Sequence, residues 1–388
     1  MLHKQSSTRA GRFVRQLPGY RAFVPVPLPP DPPLAIDTEM SLLLSDADRA
    51  LGRLDGVTST LPNTDLFVAM YVRQEAVLSS QIEGTQSTLE DVLQFEVDET
   101  GRTLPKDIRE VVNYVDAMNH GLDGLKKLPL CNRLIREIHG VLMSGVRGGD
   151  RTPGEFRRTQ NWIGPPGCTL NTASFVPPSV ADMADALDQL ERFLHDQTSL
   201  PPLIHCGLAH AQFESIHPFL DGNGRVGRLL ITFLLCERKI LHRPLLYLSA
   251  YLKARRIEYY DRLTAIRFDG DWEGWLKFFL RGVFEVSVAA TRTARQILEL
   301  RESHRKLVEN PDLLDYLFEQ PIVTVSMVKA RLGCTFPTAG KLIAQYVEHG
   351  LLGEITGRPR NRRFRYDSYL ALFESPGTTE GADHGDDQ

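Results

Sequence analysis

Twelve consecutive residues, His217-Pro218-Phe219-Leu220-Asp221-Gly222-Asn223-Gly224-Arg225-Val226-Gly227-Arg228, constrain this chain more than any other stretch. Gly222, Asn223 and Gly224 are residue types that reach positive φ or permit close backbone approach, so successive N–H groups can converge into an anion-binding concavity. The apolar run from Leu229 to Cys236 follows at once and predicts a helix. The loop therefore feeds a helix N-terminus, where unpaired N–H groups and the macrodipole both favour phosphate. The rest of the chain reads as a frame for that turn.

The side chains around the turn divide the chemistry of nucleotidyl transfer. Arg225 and Arg228, three apart in the first helical turn, are expected on one face, forking onto phosphate oxygens. Asp221 is a lone carboxylate beside the concavity, which suits Mg²⁺, an ion that takes one or two carboxylates plus substrate phosphates and water. His217, four residues earlier, is placed to take a proton from an attacking hydroxyl. Phe219 is expected to point the other way and anchor the loop in the core. The alternative is a Gly/Asn turn before a buried helix, with a core histidine and two solvated arginines; the order of so many residues in one stretch favours the chemical reading.

Taken together these residues resemble the signature of the Fic family, H-P-F-x-D/E-G-N-G-R-x-x-R, at every specified position. The resemblance implies a mainly α fold, a Fic-type helical domain with a small β-hairpin flap. It implies a protein adenylyltransferase that moves AMP from ATP to a Ser, Thr or Tyr hydroxyl of a target protein, and to itself, releasing pyrophosphate. In that family His217 would be the general base and Asp221 the Mg²⁺ ligand. Gly222, Asn223 and Gly224 would cradle the phosphates, with Arg225 and Arg228 on the β- and γ-phosphates. The relative Doc, a kinase, has a lysine where this chain has Gly224, which argues for adenylyl over phosphoryl transfer.

With 388 residues, 42% of them apolar and 24% charged, the chain has the make-up of a soluble globular protein of two or three domains. No apolar run approaches membrane-spanning length, so no membrane partner is expected. Met1 to Tyr20 is basic and acid-free but has no apolar h-region, and a cytoplasmic location is expected. Five scattered cysteines read as reduced thiols. His205 and His210, five apart, fall on different helical faces, which argues against a metal site made of histidines. A net charge of −4 makes no global case for nucleic acid, so any such case must be local.

Residues 1–37 read as an N-terminal arm. The segment Pro25 to Pro33 must be extended, because proline removes donors and biases its predecessor away from helix. The arm either crosses the body of the fold, anchored by Arg12, Tyr20 and Phe23, or is disordered. Residues 38–308 read as the catalytic domain. Within it, Asn63-Thr64-Asp65 starts a helix over about 65–84 that Gly84 ends. Glu83, in its last turn, opposes the macrodipole and calls for a cationic partner. The stretch Ser79-Ser80-Gln81-Ile82-Glu83-Gly84 resembles the Fic inhibitory motif, S/T-x-x-x-E-G/N, whose glutamate pairs with the second signature arginine and obstructs the γ-phosphate. The alternative is a solvated glutamate followed by a capping box from Ser87 to Glu90.

Further helices are predicted at Ile108–Leu122 and Asn132–Val146, with Gly148-Gly149 as a break. Gly154 to Pro178 reads as a hairpin or flap whose edge would hold a target peptide by strand addition, or as a surface loop without a client. Helices follow at Val180–His195, Pro201–Glu214, Trp272–Phe284 and Glu285–Val308. Tyr259 and Tyr260 either flank an adenine ring, as the resemblance suggests, or are structural.

Residues 309–372 carry three helices and a terminal hairpin, the pattern of a winged helix-turn-helix. Arg358, Arg360, Arg362, Arg363 and Arg365 load the hairpin with charge, so duplex DNA and a protein partner are both open. Residues 373–388 are expected to be a disordered acidic tail. Two further readings stand beside adenylyl transfer. One is removal of AMP from a modified protein, with a glutamate positioning water; the other is a DNA-binding regulator whose Fic domain only senses nucleotide. ATP and Mg²⁺ are the expected cofactors, and a homo-oligomer is expected.

Overall fold

A computed structural model of the chain describes residues 9–17, 19–59, 64–97, 105–146, 151–196 and 199–373. The predicted helix start at Asn63, the break at Gly148-Gly149 and the acidic tail beyond Phe373 lie outside the described residues.

The arm is not simply extended. Strands β1 (Gly11–Arg15) and β2 (Arg21–Pro25) pair antiparallel with Phe13 opposite Phe23. Phe23 is buried and its N–H donates to Val176 O at 2.9 Å, while Tyr20 Oη donates to Gln160 at 3.3 Å. Arg12 is exposed; the cationic anchor is Arg9, whose two terminal nitrogens reach Glu273 at 2.7 Å each.

The body that follows the arm is a stack of helices: α1 (Thr38–Ser59), α2 (Thr64–Ile82), α3 (Leu89–Glu96), α4 (Lys106–Leu125), α5 (Asn132–Leu142), α6 (Val180–His195), α7 (Pro202–Ile216), α8 (Asn223–Glu237), α9 (Ser249–Ala254), α10 (Arg256–Asp269) and α11 (Trp272–Arg305). At its centre α7 is buried from Leu203 through Ile216. A helix that is apolar on all sides can only be an internal one, and α6, α8, α10 and α11 pack around it. The two helices expected between Trp272 and Val308 are one helix of 34 residues, with α1 lying along it. No proline interrupts that stretch, so nothing forces a break.

Before α3, the capping box is shifted by one residue from the expected position: Thr88 Oγ1 accepts from Asp91 N and Asp91 answers on Thr88 N. The flap holds no regular strand. Its two limbs meet at one bridge, Ile163 with Phe175, closed by hydrogen bonds of 2.8 and 3.0 Å.

The C-terminal unit is the expected winged helix-turn-helix. It comprises α12 (Pro311–Glu319), β3 (Ile322–Thr324), α13 (Val325–Leu332), α14 (Phe336–Glu348), β4 (Gly353–Glu354), β5 (Arg363–Arg365) and the short α15 (Asp367–Leu370), with strand order β3-β5-β4. It is docked on α2 and α3. Arg73 of α2 forks onto Glu96 at 2.9 Å and reaches Glu319 O at 3.4 Å, and Arg365 of the wing pairs with Glu90 at 2.7 Å. Among the described residues no helix is long and apolar enough to cross a membrane, and none of the five cysteines is in a disulfide.

Candidate active site

The predicted loop lies between the C-terminus of α7 and the N-terminus of α8. His217 caps α7 in the left-handed region (φ 49°), and Gly222 heads α8 at φ 77°. Phe219 is fully buried and stacks on His139 with ring centroids 3.7 Å apart, as its expected anchoring role requires. Asn223 braces the turn from within: Nδ2 donates to Phe219 O and Oδ1 accepts from Phe219 N, both at 2.8 Å. Its side chain therefore holds the loop's shape, and only its backbone faces the helix head, where N–H groups lack intrahelical acceptors. His139 accepts from Gly154 N at 2.9 Å through Nδ1, so its Nε2–H donates to Asp221 O at 3.1 Å.

Beside the loop opens a cleft of about 660 Å³ whose walls include Glu83, Trp162, His217, Asp221, Gly224, Arg228, Tyr259 and Tyr260. That volume falls in the range of roughly 300–1,000 Å³ usual for small-molecule sites.

Arg228 is buried at 2% exposure and held by the end of α2 through Nε and Nη2. Its Nε donates to Ser79 Oγ at 2.8 Å, and Nη2 donates to Ser79 O at 3.0 Å and to Glu83 Oε1 at 2.7 Å. Partial desolvation would push the Glu83 carboxyl up, but the charge of Arg228, with Arg225 behind it, holds it below the usual range although the side chain is 35% exposed. Burial also opposes the charge on Arg228, and Glu83 more than restores it. The pair is thus ionised at neutral pH. Its closure depends on Gly224, where a Cβ would collide with Glu83 Oε1 and come within 3.0 Å of Arg228 Nη1.

Arg225, expected beside Arg228 on phosphate, goes elsewhere. It is 3% exposed, donates to Glu110 of α4 at 3.2 Å and to Met143 Sδ at 3.4 Å, and does not line the cleft. Three positions along a helix leave two side chains about 60° apart, enough for α4 to capture one while α2 captures the other. Tyr259 is buried; His210 donates through Nδ1 to Gly227 O at 2.8 Å, so its Nε2 accepts from Tyr259 Oη at 2.9 Å. The Tyr259 hydroxyl is thus tied into the core while its ring lines the cleft, as does Tyr260, which is 41% exposed.

Asp221 lines the cleft, with Oδ1 accepting from Gly222 N at 2.7 Å. Its hard oxygens fit Mg²⁺, and a single carboxylate matches an ion that shares its shell with substrate phosphates.

Two buried acids had no prominence in the sequence. Glu214, one turn before His217 in an apolar helix, lines the cleft with Oε1 lacking a hydrogen-bond partner, and burial pushes its carboxyl up to about 7. Glu75 of α2 is likewise pushed up to about 7 by burial, against the pull of hydrogen bonds from Ser249 and the charge of Arg228. The signal for Glu214 was a lone charge within α7.

Burial, followed by the charges of Arg267 and Arg157, lowers the His217 imidazole to about 3. It is neutral at physiological pH and can accept a proton. His139, His205 and His210 are each lowered to about 4, by burial first. Between about pH 4.5 and 6.5 the unfolded chain binds protons at these four histidines that the folded chain does not, while the folded chain alone binds them at Glu75 and Glu214. The histidines outnumber the glutamates, so stability falls as pH falls through this window. The melting temperature is expected to be lower at pH 5 than at pH 7 by scanning calorimetry; the opposite order would contradict neutral burial of these rings.

Comparison with known proteins agrees with the geometry. Residues 41–123 match the family model described as Fic/DOC family N-terminal, residues 129–235 that of the Fic/DOC family, and residues 310–365 an HTH DNA binding domain. The chain is similar to the protein adenylyltransferase Fic of Drosophila grimshawi, 30% identical over 199 residues that make up 50% of this chain and 36% of that protein. To the same-named protein of Drosophila yakuba it is 35% identical over 113 residues, 29% of this chain and 21% of that one. It thus spans about a third or less of the length of these relatives. Among solved structures, a Fic family protein from Desulfovibrio desulfuricans G20 shares the fold with a TM-score of 0.58 at 21% identity, over 86% of this chain and 97% of the other. A Fic domain containing signaling protein from Bacteroides thetaiotaomicron gives a TM-score of 0.50 at 20% identity, over 66% and 97% of the two chains. The helical stack around the loop and the two adjoining sequence matches lead to one assignment: the chain belongs to the Fic/DOC family.

Proposed function

We propose that this chain is an auto-inhibited protein adenylyltransferase that transfers AMP from ATP to a hydroxyl side chain of a target protein and of itself. The observation that carries the reading is a neutral, half-buried His217 sharing one cleft with Asp221, Gly224 and Arg228. His217 takes the proton of the attacking Ser, Thr or Tyr hydroxyl. The oxygen forms a bond to the α-phosphorus as the bond to the bridging oxygen breaks, and pyrophosphate carries away the displaced charge. The head of α8 receives the phosphates, and Arg228, once free of Glu83, forks onto the γ-phosphate. Asp221 would hold Mg²⁺, which supplies charge neutralisation on the triphosphate. The edge of the flap at Trp162 and Ile163 borders the cleft and suits an extended target segment added by backbone pairing. Incubation with ATP labelled on the α- or the γ-phosphate tests the reaction class: covalent label from the α-phosphate alone is expected. Label from the γ-phosphate would make the chain a kinase, and none at all would favour a nucleotide sensor.

A second role, contact of the winged helix with duplex DNA, is favoured by the exposure of Arg358, Arg360 and Arg362 at the wing. The other two arginines are turned to α3, Arg365 on Glu90 and Arg363 on Gln94 O at 3.4 Å. DNA affinity is therefore expected to fall steeply with salt. Replacing Arg358 and Arg360 with alanine should flatten the slope by about two, while replacing Arg363 and Arg365 should change it less. Absence of binding to duplex DNA at low salt would point to protein docking instead.

A further inference from the structure

We infer that Arg157 and Asn161, both on the first limb of the flap, are positioning residues that hold the base His217 in its working orientation. This inference rests on the adenylyl-transfer reading only for what His217 does, and on geometry for how it is held.

His217 is a non-glycine residue at φ 49°. Such a conformation persists only when its surroundings over-determine it. Here the surroundings are the flap. Arg157 Nε and Asn161 Nδ2 both donate to His217 O, each at 3.1 Å. The next two residues are fixed from the same limb, Pro218 O by Arg157 N at 2.9 Å and Phe219 O by Asn161 Nδ2 at 2.8 Å. Three consecutive carbonyls of the signature loop are thus hydrogen-bonded to two flap residues.

The chemistry of Arg157 is unusual for a structural arginine. It is 1% exposed, and its guanidinium is directed at three backbone carbonyls, those of His217, Thr159 at 3.3 Å and Pro178 at 2.6 Å. Burying a guanidinium against neutral acceptors is costly, and burial accordingly lowers it to about 10. What the arrangement achieves is a planar fork joining both limbs of the flap to the carbonyl of the base, a geometry that a lysine cannot reproduce. Rotation of the peptide after His217 would turn its Cα–Cβ bond, and with it the imidazole, away from the cleft. The limb that borders the target's path therefore also sets the aim of the group that deprotonates the target.

The test uses the full-length protein with Arg157→Lys, which keeps the charge but loses the fork, and Asn161→Ala, which alters no charge. In a Glu83→Gly background, where Arg228 is free, each is expected to lower kcat for AMP transfer by about 10- to 100-fold. The KM for ATP should stay within about twofold, because the head of α8 and Arg228 are untouched. In the otherwise wild-type protein, where Arg267 and Glu83 still act on His217, the imidazole is followed by NMR titration in Asn161→Ala. A ring released toward water should titrate at least about one unit closer to 6.5 while His205 and His210, which are held away from the flap, keep their low values; general loss of stability would move all three together. Unchanged titration, or a fall in kcat matched by an equal loss of ATP affinity, overturns the inference. If Glu83→Gly itself transfers no AMP, the adenylyl-transfer reading fails, and the titration still decides whether the flap holds His217.

Discussion

Glu83→Gly is expected to raise AMP transfer, self-modification included, by at least about tenfold, equivalent to ~1.4 kcal/mol of barrier. In the closed arrangement Nη2 of Arg228 is shared between Glu83 and Ser79 O and Nε is held by Ser79 Oγ, so a two-nitrogen fork for a γ-phosphate would require breaking these bonds. On the proposed reading, ATP that enters would meet a carboxylate where its terminal phosphate should lie, and its α-phosphorus would not be brought in line with an attacking oxygen. Removing the carboxylate leaves Arg228 with Ser79 alone in a buried site. The variant should therefore be less stable in the absence of ATP and gain more from adding it. Both effects are measurable, the first by incorporation of α-labelled AMP and the second by thermal shift with and without Mg²⁺-ATP. Wild-type or lower transfer by a folded Glu83→Gly protein would mean either that Glu83 is no brake or that it assists removal of AMP. Incubation with a purified AMP-modified target separates those two outcomes.

The larger effect in the opposite direction is expected from His217→Ala. Loss of a positioned base is worth about 10²- to 10⁴-fold, and in the Glu83→Gly background the double variant should be silent. ATP binding should survive, since in the proposed mechanism the phosphates would contact the head of α8 and Arg228 and not the imidazole. Calorimetric titration with ATP together with the labelled-AMP assay checks both halves. Full transfer by His217→Ala would remove it from the mechanism.

The signature loop was legible in the sequence because its interactions are local: the capping of α7 by His217, the brace of Asn223 on Phe219 and the glycine at the head of α8 all fall within a dozen residues. The pairing of Arg228 with Glu83 spans 145 positions, yet it was readable because a carboxylate ending a helix calls for a cation and the stretch resembles an inhibitory motif that names the partner. Arg225 gave no such warning. Its capture by Glu110 depends on where α4 lies, which the spacing of two arginines in α8 does not specify. Glu75 is a charged letter in an ordinary helical context and Glu214 a lone charge in an apolar one, and only packing reveals that both residues are buried. The β1–β2 hairpin was hidden for a different reason: its residues alternate weakly, and the proline-rich segment after it dominated the local reading. The single helix α11 shows the converse, an apolar stripe continuing where a boundary was expected for no physical cause.

The closeness of Gly224 to Glu83 has an evolutionary corollary. Because a side chain at position 224 would occupy the space of the Glu83 carboxylate, the two positions cannot drift independently in descendants of this chain. A lineage that acquires a side chain at 224 would displace the Glu83 carboxylate from its present position in the same step. A lineage that first loses Glu83 is then free to change 224. Among relatives that keep the loop, occupancy of the two sites should therefore co-vary, with a carboxylate at the first found together with glycine at the second.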